Sequence, residues 1–405
     1  MGTYKCKVCG SLKLHKALDF GDMPNANGLV AKEHLNDVVS YPLIYYWCEE
    51  CTFFQQAKLV NKENLWSDYT FQTGVSKPSV EHFKKAADGL SKKLQNKDFA
   101  VVIASNDGTE ISLLKKAGFS KVVGVEPAKN IAKIANENGL FTIVDFFGEN
   151  LSREIVQKYG KADLVIANNV FAHIPDPRDF MMGMRNLISD EGEIYIEVHW
   201  LKSLVTNLQI ESLYAEHYYV WSLRSIKRLA DACGLKISGV RYLPEQYEGS
   251  INVVFSKTKE NKEVIEEFLE QEDKFGLGDK EVMLGLQKRA EARKKKFVGL
   301  IRALKKKGKR ISVWTAPAKV STLLNFFGLS NLEIDYIYDS TPTKIGKFIP
   351  KANIPIKDEN LIKEDMPDYL IIGARNYLEF AKVKLKPYTD RGVKLIDTLA
   401  CEIIR

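Results

Sequence analysis

Residues 99–108 read Phe-Ala-Val-Val-Ile-Ala-Ser-Asn-Asp-Gly, an apolar run that ends in a polar turn with one glycine. A helical pattern follows over 111–117, and the same succession of apolar run and helix then recurs. Alternation of short apolar runs with helical patterns is typical of a parallel α/β sheet. The sequence therefore predicts a Rossmann-like domain. Its further strands are predicted at 121–125, 141–144 and 162–167.

The predicted strand ends carry polar side chains. Glu126 follows the second strand, 18 residues beyond Gly108, and an acidic residue at that position binds the ribose hydroxyls of an adenosyl ligand. A single glycine in the first turn gives little support to a pyrophosphate site, whereas S-adenosylmethionine (SAM) carries no phosphate. We therefore predict a SAM-binding domain; a Rossmann domain serving another nucleotide, or none, is the alternative. The predicted cofactor residues are Ala104, Ser105, Asn106, Asp107, Gly108, Glu126, Pro127, Asp145, Phe146 and Asn168.

Two Cys-x-x-Cys pairs precede this domain, Cys6 with Cys9 and Cys48 with Cys51. Four thiolates in two tight pairs match the ligand set of a tetrahedral Zn²⁺ ion, and no position is left open for a catalytic water. The 38 residues between the pairs exceed the gap of a compact zinc finger. We predict a structural zinc ion that closes a small β-rich lobe. Four buried thiols or a pair of redox disulfides are the alternatives.

Composition narrows the class of protein. Of 405 residues, 45% are hydrophobic and 27% charged, which is typical of a soluble globular protein. No run of about 18 apolar residues and no signal peptide is evident, so we expect a cytoplasmic protein without a membrane segment. Lysines concentrated over 294–310 account for much of the net charge of +7. No aromatic residues are interleaved there, which favours a solvated helix face over a nucleic-acid site.

Composition shifts divide the chain into four regions. We expect a zinc-binding lobe over 1–75, the SAM-binding domain over 76–257, linking helices over 258–309 and a second α/β Rossmann-like domain over 310–405. A break between the linking helices is expected at 276–278. Strands of the last domain are predicted at 311–313, 336–338, 369–372 and 393–396.

Several short motifs follow one another in a fixed order. They are Gly-Asp-Met-Pro-Asn-Ala-Asn at 21–27, Ser-Asn-Asp-Gly at 105–108, Gly-Val-Glu-Pro-Ala at 124–128, Asn-Val-Phe-Ala-His-Ile-Pro-Asp at 169–176, Tyr-Ala-Glu-His at 214–217 and Ala-Pro-Ala-Lys at 316–319. With the cysteine pairs, this order resembles that of the SAM-dependent sugar C-methyltransferases, which act on nucleotide-linked keto-deoxysugars. The resemblance covers nearly the whole chain in three successive blocks.

The resemblance implies a chemistry and a set of catalytic residues. Methylation at carbon requires an enolate next to a ketone, and hence a general base and a group that stabilises the oxyanion. Histidine suits the base because its pKa lies near the operating pH. By resemblance His217 is the base, whereas a surface helix position is the alternative for that residue. Tyr214, Glu216 and His173 would contact the sugar or the enolate, although His173 could instead be structural.

A fifth candidate lies in the segment 66–76, which resembles an aromatic-rich segment of the family from which a tyrosine reaches the active site. Tyr69 is that candidate, because Phe71 has no hydroxyl group. Contact between the zinc lobe and the middle domain would also explain Trp66 and Phe71 without any catalytic part.

Departures from the family pattern concern mainly the substrate site. Tyr247-Glu248-Gly249-Ser250 stands in place of His-Gly-Gly-Ser, and Val313-Trp314-Thr315-Ala316 follows where Gly-Tyr-Gly-Ala is usual. Arg375-Asn376 replaces a tryptophan-asparagine pair, and Val102 replaces an acidic residue of the first strand. SAM binding should survive because Glu126 remains, but the sugar or the methylated carbon would differ.

The sequence thus predicts a C-methyltransferase that uses SAM and a structural Zn²⁺, acts on a nucleotide-linked sugar, and is a monomer or a weak homo-oligomer. An O- or N-methyltransferase acting on a sugar or small molecule is one alternative, because His217 could also deprotonate a hydroxyl group. A non-catalytic zinc-bearing binding protein is another.

Overall fold

A computed structural model describes residues 4–60, 69, 72–246, 249–373 and 378–404. Several sequence features lie outside the described residues. They are Trp66 and Phe71 of the aromatic segment, Tyr247 and Glu248, and the pair Arg375-Asn376.

The N-terminal lobe is built on an antiparallel sheet in the order β1-β2-β3-β9. Its strands are β1 (Leu14–Pro24), β2 (Ser40–Cys48), β3 (Phe54–Gln56) and β9 (Tyr219–Val220), and a 3-10 helix spans Lys32–Asp37. Leu43, Tyr45 and Trp47 alternate along β2 and are all buried, as expected when one face of a strand covers a core. Strand β9 comes from a distant part of the chain, so the middle domain completes the sheet of the lobe.

The middle domain contains a sheet in the order β10-β11-β8-β7-β4-β5-β6. Strands β4 to β8 run parallel to one another, and β11 pairs antiparallel with both β8 and β10. The strands are β4 (Phe99–Ile103), β5 (Lys121–Val125), β6 (Thr142–Ile143), β7 (Ala162–Asn168), β8 (Ile188–His199), β10 (Lys236–Leu243) and β11 (Ser250–Ser256).

Helices flank this sheet. They are α1 (Lys77–Lys93), α2 (Thr109–Lys116), α3 (Lys129–Glu137), α4 (Glu149–Tyr159), α5 (Pro177–Leu187), α6 (Leu201–Thr206) and α7 (Leu223–Ala232), with 3-10 turns at Thr73–Val75 and Ile210–Ser212. All five residues of β4 are buried, as a central parallel strand covered on both faces requires. The carboxyl ends of β4, β5 and β7 meet at one edge, where ligands of such sheets bind.

Two helices connect to the C-terminal domain, α8 (Lys262–Phe275) and α9 (Lys280–Lys306). Between them Gly276 adopts a φ of 87°, which ends α8 in the left-handed conformation that favours glycine. One face of α9 is buried and packs against β1, whereas Lys295 and Lys296 are exposed. The break and the solvated lysine face therefore lie where the sequence pattern predicts them.

The C-terminal domain contains a sheet in the order β14-β13-β12-β15-β16-β17, parallel except for β17. Its strands are β12 (Ile311–Trp314), β13 (Ile337–Asp339), β14 (Ile356–Asp358), β15 (Tyr369–Ile372), β16 (Lys394–Asp397) and β17 (Glu402–Ile404). Its helices are α10 (Ala318–Phe327), α11 (Ile362–Asp365) and α12 (Leu378–Thr389), with a 3-10 turn at Glu359–Leu361.

The α/β class with a β-rich N-terminal lobe is thereby confirmed. Among the described residues, no helix combines the length and the apolar content that a membrane crossing requires.

Candidate active site, cofactor crevice and metal centre

The four paired cysteines converge on one point of the lobe. Their sulfur atoms all lie within 4.8 Å of one another, with Cys6–Cys51 and Cys9–Cys48 at 3.6 Å. A tetrahedron of zinc–sulfur bonds of about 2.3 Å has edges of about 3.8 Å, so the spacing fits this metal. The donor set and its spacing therefore both match a structural Zn²⁺ site.

The two cysteine pairs form matching backbone turns. The N–H of Gly10 donates to the carbonyl of Cys6 at 2.8 Å, and that of Thr52 donates to the carbonyl of Cys48 at 2.8 Å. Gly10 has a φ of 75° and Thr52 a φ of 57°. Each residue lies directly after the second cysteine of its pair, where the turn requires a left-handed backbone. The second turn also connects β2 to β3.

The turn after β4 lies beside the carboxylate of Glu126. Positive φ angles at Ala104, Asn106 and Gly108 curl this turn into the start of α2. Glu126 accepts hydrogen bonds from the N–H groups of Asn106 at 3.0 Å and Ala128 at 2.9 Å. Burial raises the pKa of Glu126, and these two bonds oppose that rise. The turns on either side of Glu126 therefore hold the predicted ribose-binding carboxylate at the edge where β4, β5 and β7 end.

Two buried polar atoms at the same strand ends have no hydrogen-bond partner among the described residues. They are Ser105 Oγ and Asn168 Oδ1. Asn168 uses its amide N–H to donate to Glu110 on α2 at 2.9 Å. Buried polar atoms are normally satisfied, so Asn168 Oδ1 at the end of β7 fits a ligand with polar groups, whereas Ser105 Oγ packs against Gly124. The residues present therefore fit SAM, with Glu126 available for its ribose.

The other predicted cofactor residues differ in their hydrogen bonds and exposure. Asp107 accepts from Gly74 N at 2.7 Å and from Thr109 N at 3.1 Å, so its carboxylate shapes the loop. Asp145 is exposed and accepts from Phe146 N at 2.7 Å. Pro127 is partly buried next to Glu126. Direct contact of these residues with SAM stays a prediction.

Three histidines form a cluster outside the cofactor turn. The ring of His217 lies 4.7 Å from that of His173 and 5.4 Å from that of His199, between ring centroids. His173 follows β7, His199 ends β8, and His217 closes the turn that begins at Tyr214. His217 is buried and lies outside any helix. The alternative of a surface helix position for His217 is therefore wrong.

Hydrogen bonds fix the tautomer of His217. Its Nδ1 lies 2.6 Å from the carbonyl oxygen of Ser212, an acceptor only, so Nδ1 carries the proton. Its Nε2 lies 2.7 Å from the hydroxyl of Tyr214, and therefore accepts. Burial, together with the repulsion that a second protonated ring beside His173 or His199 would meet, lowers the pKa of His217 well below the usual value. His217 is thus a neutral imidazole with Nε2 as its basic atom.

His173 also bonds to the backbone. Its Nδ1 lies 2.7 Å from the carbonyl oxygen of Glu216, and hydrogen bonds to the backbone of Glu216 and Asn169 act to raise its pKa. Burial lowers the pKa of His173 to about 4. Both imidazoles are therefore neutral near pH 7, and neither repels the other.

The Glu216 side chain faces the zinc lobe. Its carboxylate accepts from Asn27 N at 3.0 Å, Asn27 Nδ2 at 2.9 Å and Ala26 N at 3.4 Å. Burial raises the pKa of Glu216, and the bonds from Asn27 oppose the rise. The motif at 21–27 and the motif at 214–217 are therefore in direct contact, although about 190 residues separate them.

Sequence reasoning missed two residues of the cluster. His199 lies at the carboxyl end of β8, and Lys319 begins the first turn of α10, which packs against the 3-10 turn Ile210–Ser212. The charge of Lys319 contributes to the lowered pKa of His199 and of His217. A histidine at the end of a buried strand was the available signal for His199. Lys319 lies in the motif at 316–319, but no role was predicted for it.

The described hydrogen bonds of Tyr69 are with α3. Its backbone N–H and carbonyl bond with the Asn130 side chain on α3 at 3.2 and 2.8 Å. The helix that begins at Lys129 follows the turn of Glu126 and Pro127, so this contact places the Tyr69 backbone on the cofactor side of the domain. A catalytic part for the Tyr69 hydroxyl stays a prediction.

Comparisons with known proteins agree with this three-part arrangement. Three family models match successive parts of the chain: a zinc binding domain over 6–66, a methyltransferase domain over 103–238, and a C-methyltransferase C-terminal domain over 246–399. Together the matches support a SAM-dependent C-methyltransferase. A relative from Streptomyces niveus, the C-methyltransferase NovU, is 29% identical over 398 residues, which cover 97% of this chain and 94% of the relative.

Two similar solved structures each correspond to less than half of the chain. The PH0226 protein from Pyrococcus horikoshii OT3 covers 49% of the chain and 99% of its own length, at 15% identity and a TM-score of 0.38. Magnesium protoporphyrin IX methyltransferase from Synechocystis PCC 6803 covers 44% of the chain and 85% of its own length, at 14% identity and a TM-score of 0.35. At these TM-scores neither similarity bears on function.

The family matches, the crevice and the cysteine cluster together settle the type of enzyme. The protein is a SAM-dependent methyltransferase with a structural zinc site. The prediction of a catalytic rather than a purely binding protein is therefore confirmed.

Proposed function

We propose that this C-methyltransferase adds a methyl group to the carbon next to the keto group of a nucleotide-linked deoxysugar, with His217 as the base that forms the enolate. The observation that carries the proposal is the fixed tautomer of His217, with Nδ1 bonded to Ser212 O and Nε2 accepting from Tyr214. The sugar itself is supported by the resemblance of the motifs. Transfer to carbon is supported by the family and by the name of the Streptomyces relative.

A neutral Nε2 is the atom that this chemistry requires. An α-proton next to a ketone is weakly acidic, so its removal needs a base that is unprotonated and positioned on that hydrogen. Burial and the neighbouring imidazoles keep His217 neutral, and Ser212 O prevents the tautomer that would protonate Nε2. The substrate would displace the Tyr214 hydroxyl from Nε2. The lone pair of Nε2 would then take the proton from carbon, and the electron pair of the C–H bond would pass into the enolate.

Groups around His217 can stabilise the oxyanion that forms. The Tyr214 hydroxyl is a hydrogen-bond donor at the base, and Lys319 contributes a positive charge that already acts on His217. Donors preorganised in a buried site stabilise developing negative charge more strongly than water does. Once His217 has taken the proton, its imidazolium and the Lys319 ammonium would both counter the negative charge of the enolate.

The cofactor residues have a separate task. SAM supplies a methyl group on a positively charged sulfur, which an enolate carbon can attack. Glu126 would bind the ribose, while the turn 104–108 and Asn168 would line the rest of the crevice. Because β7 ends at Asn168 and His173 follows shortly after, the cofactor residues and the histidine cluster are joined by one short segment.

Product analysis tests the proposal. The enzyme is incubated with SAM and a panel of nucleotide-linked 4-keto-deoxysugars, each beside its 4-hydroxy counterpart, and products are identified by NMR. We expect a carbon-bound methyl signal from a keto sugar and no product from its hydroxy counterpart. An oxygen-bound methyl group, or methylation of the hydroxy counterpart, would overturn the assignment to an enolate.

A further inference from the structure

Gln56 belongs to the zinc lobe, yet its side chain reaches the turn that contains His217. It is the last residue of β3 and is 3% exposed. Its Nε2 lies 3.0 Å from the carbonyl oxygen of Tyr214, 3.2 Å from that of Ala215 and 2.9 Å from that of His217. The two N–H groups of one buried amide are thus shared among the carbonyls of the turn 214–217.

Tyr45 reinforces the same contact. Its hydroxyl donates to the carbonyl of His217 at 2.5 Å and lies 3.1 Å from the Nε2 of Gln56. Its ring is fully buried and stacked on Phe54 at 5.3 Å. Burial raises the pKa of Tyr45 above its ordinary value, so the hydroxyl remains a donor. The two side chains together cover the backbone side of the turn.

The position of these side chains depends on the turn that carries two zinc ligands. Tyr45 and Gln56 are cross-strand partners in the β2–β3 pair; Cys48 ends β2, and Cys51 lies in the connection to β3. A shift of one residue in strand pairing would move every side chain to the opposite face. A metal that fixes this connection therefore also fixes which residue faces Tyr214 and His217.

We infer that Gln56 and Tyr45 are positioning residues of the methyltransferase, through which the zinc lobe holds the turn 214–217 so that the rings of Tyr214 and His217 face the histidine cluster. The inference rests on the proposed role of His217. Without these donors, three carbonyls of the buried turn would lose partners, and such losses are costly enough to rearrange a turn. A displacement of about 1 Å at a catalytic group can lower a rate about 100-fold.

The chain offers a matched control one residue away. Gln55 is also 3% exposed, but its side chain accepts from Lys7 N at 2.9 Å and donates to Lys5 O at 3.1 Å, beside the first zinc turn. Substitution by methionine keeps the length of either glutamine and removes its hydrogen bonds. Gln56→Met therefore tests the catalytic turn, and Gln55→Met tests the lobe alone.

For Gln56→Met we expect a zinc content equal to wild type, a SAM dissociation constant within about twofold, and a kcat lowered about 10- to 100-fold. For zinc-loaded Gln55→Met we expect a kcat within about threefold of wild type. Equal loss of kcat in the two variants, with zinc retained, would show that the lobe acts only through general stability and would overturn the inference.

A second measurement does not depend on the substrate. Hydrogen–deuterium exchange of the peptide 212–218 should be at least about tenfold faster in Gln56→Met than in wild type or Gln55→Met, because the turn has lost its donors. Unchanged exchange would overturn the inference even if no sugar is methylated. If Gln56→Met does not fold, Tyr45→Phe removes the bond to the His217 carbonyl and should show the same faster exchange. Failure of wild type on all sugars would count only against the proposed function.

Discussion

The guanidinium of Arg293 on α9 lies 2.7 Å from the carboxylate of Glu211, and both side chains are buried. Arg293 also donates to Leu208 O at 2.8 Å and Thr398 O at 3.1 Å. Burial alone would raise the pKa of Glu211, but the charge and hydrogen bond of Arg293 lower it overall. Because Glu211 precedes Ser212, whose carbonyl binds His217, the linking helix supports the segment that leads into the turn 214–217.

Removal of Arg293 should therefore destabilise the protein. Arg293→Met leaves the Glu211 carboxylate buried without its partner, which costs about 3–5 kcal/mol. We expect a clear fall in melting temperature, and a partial recovery in the double variant Arg293→Met with Glu211→Gln. Arg289→Met, at an exposed position of the same helix, is the control and should melt like wild type. A melting temperature of Arg293→Met equal to the control would contradict the prediction.

The parts of the fold that the sequence predicts well are those encoded by continuous runs. Strand β4 and strand β15 are buried on both faces, so each appears as an unbroken apolar segment with the expected bounds. Strand β9 has only two residues and pairs with β3 far away in sequence. No local pattern indicates such a strand, and its place in the sheet of the lobe follows only from three-dimensional contact.

The residues of the candidate site could likewise be predicted only where they lie close together in the sequence. His217 and Tyr214 were predicted because they lie in one short motif, and they do lie 2.7 Å apart. Lys319 and Gln56 reach the same turn from two other parts of the chain. Lysine at a helix start and glutamine in a strand are common for structural reasons, so their residue types carry no signal of function without the fold.

Zinc should be a stoichiometric component of the protein. Four sulfur atoms within 4.8 Å should bind about one Zn²⁺ per chain, and thiolate ligation contributes directly to folding. Cys48→Ser should lose the metal and melt at a lower temperature or become insoluble. Cys233→Ala alters a buried thiol outside the cluster and should retain the metal. Elemental analysis measures the zinc content per chain. Purified protein without zinc would refute the assignment.

Loss of the Glu126 carboxylate should weaken SAM binding. A charged hydrogen bond contributes about 1.5–3 kcal/mol, so Glu126→Ala should raise the dissociation constant by roughly one to two powers of ten. Glu137→Ala, at the exposed end of α3, serves as the matched control. The measurement is isothermal titration calorimetry with SAM or its demethylated product. Equal affinities of the two variants would place the ribose site elsewhere.

Glu110 predicts a dependence of stability on pH. Burial, followed by the charge of Glu197, raises its pKa to about 8 from a usual value of 4.5. The folded state therefore holds this proton more tightly than the unfolded state, and stability is lost as the pH rises from about 4.5 to about 8. Glu110→Gln resembles the protonated acid and can keep the bond from Asn168. Its advantage over wild type should grow to at most about 4 kcal/mol at pH 8.

Melting temperatures of wild type and Glu110→Gln, recorded from pH 5 to pH 8.5, measure this difference directly. The two curves should converge toward pH 5 and separate toward pH 8. Glu154→Gln, at an exposed position of α4, should follow wild type throughout. Parallel curves for Glu110→Gln and wild type would mean that the Glu110 carboxyl is ionised in the folded protein at neutral pH.

The sharpest test of the mechanism concerns the first chemical step, because removal of a proton from carbon can be observed without methyl transfer. Substrate incubated with enzyme in deuterated water should exchange its α-hydrogen when His217 is present. His217→Gln should lose this exchange by a factor of about 100 to 10,000, the usual range for loss of a general base. SAM affinity should stay near wild type, because Glu126 and the turn after β4 are untouched. His34→Gln, at an exposed position bonded to Asp37, is the control and should exchange normally.

The possible outcomes of this experiment separate the two histidines and the two kinds of methyl transfer. Full methylation by His217→Gln would show that another group is the base, and His173 would be the next candidate because its ring lies 4.7 Å from that of His217. Methylation by wild type without any α-hydrogen exchange would favour transfer to oxygen, provided that bound cofactor is not required for exchange. The assay is therefore repeated with S-adenosylhomocysteine. This compound occupies the cofactor site but has no methyl group to transfer. Exchange that appears only under those conditions would still assign His217 as the base, acting once the cofactor site is occupied.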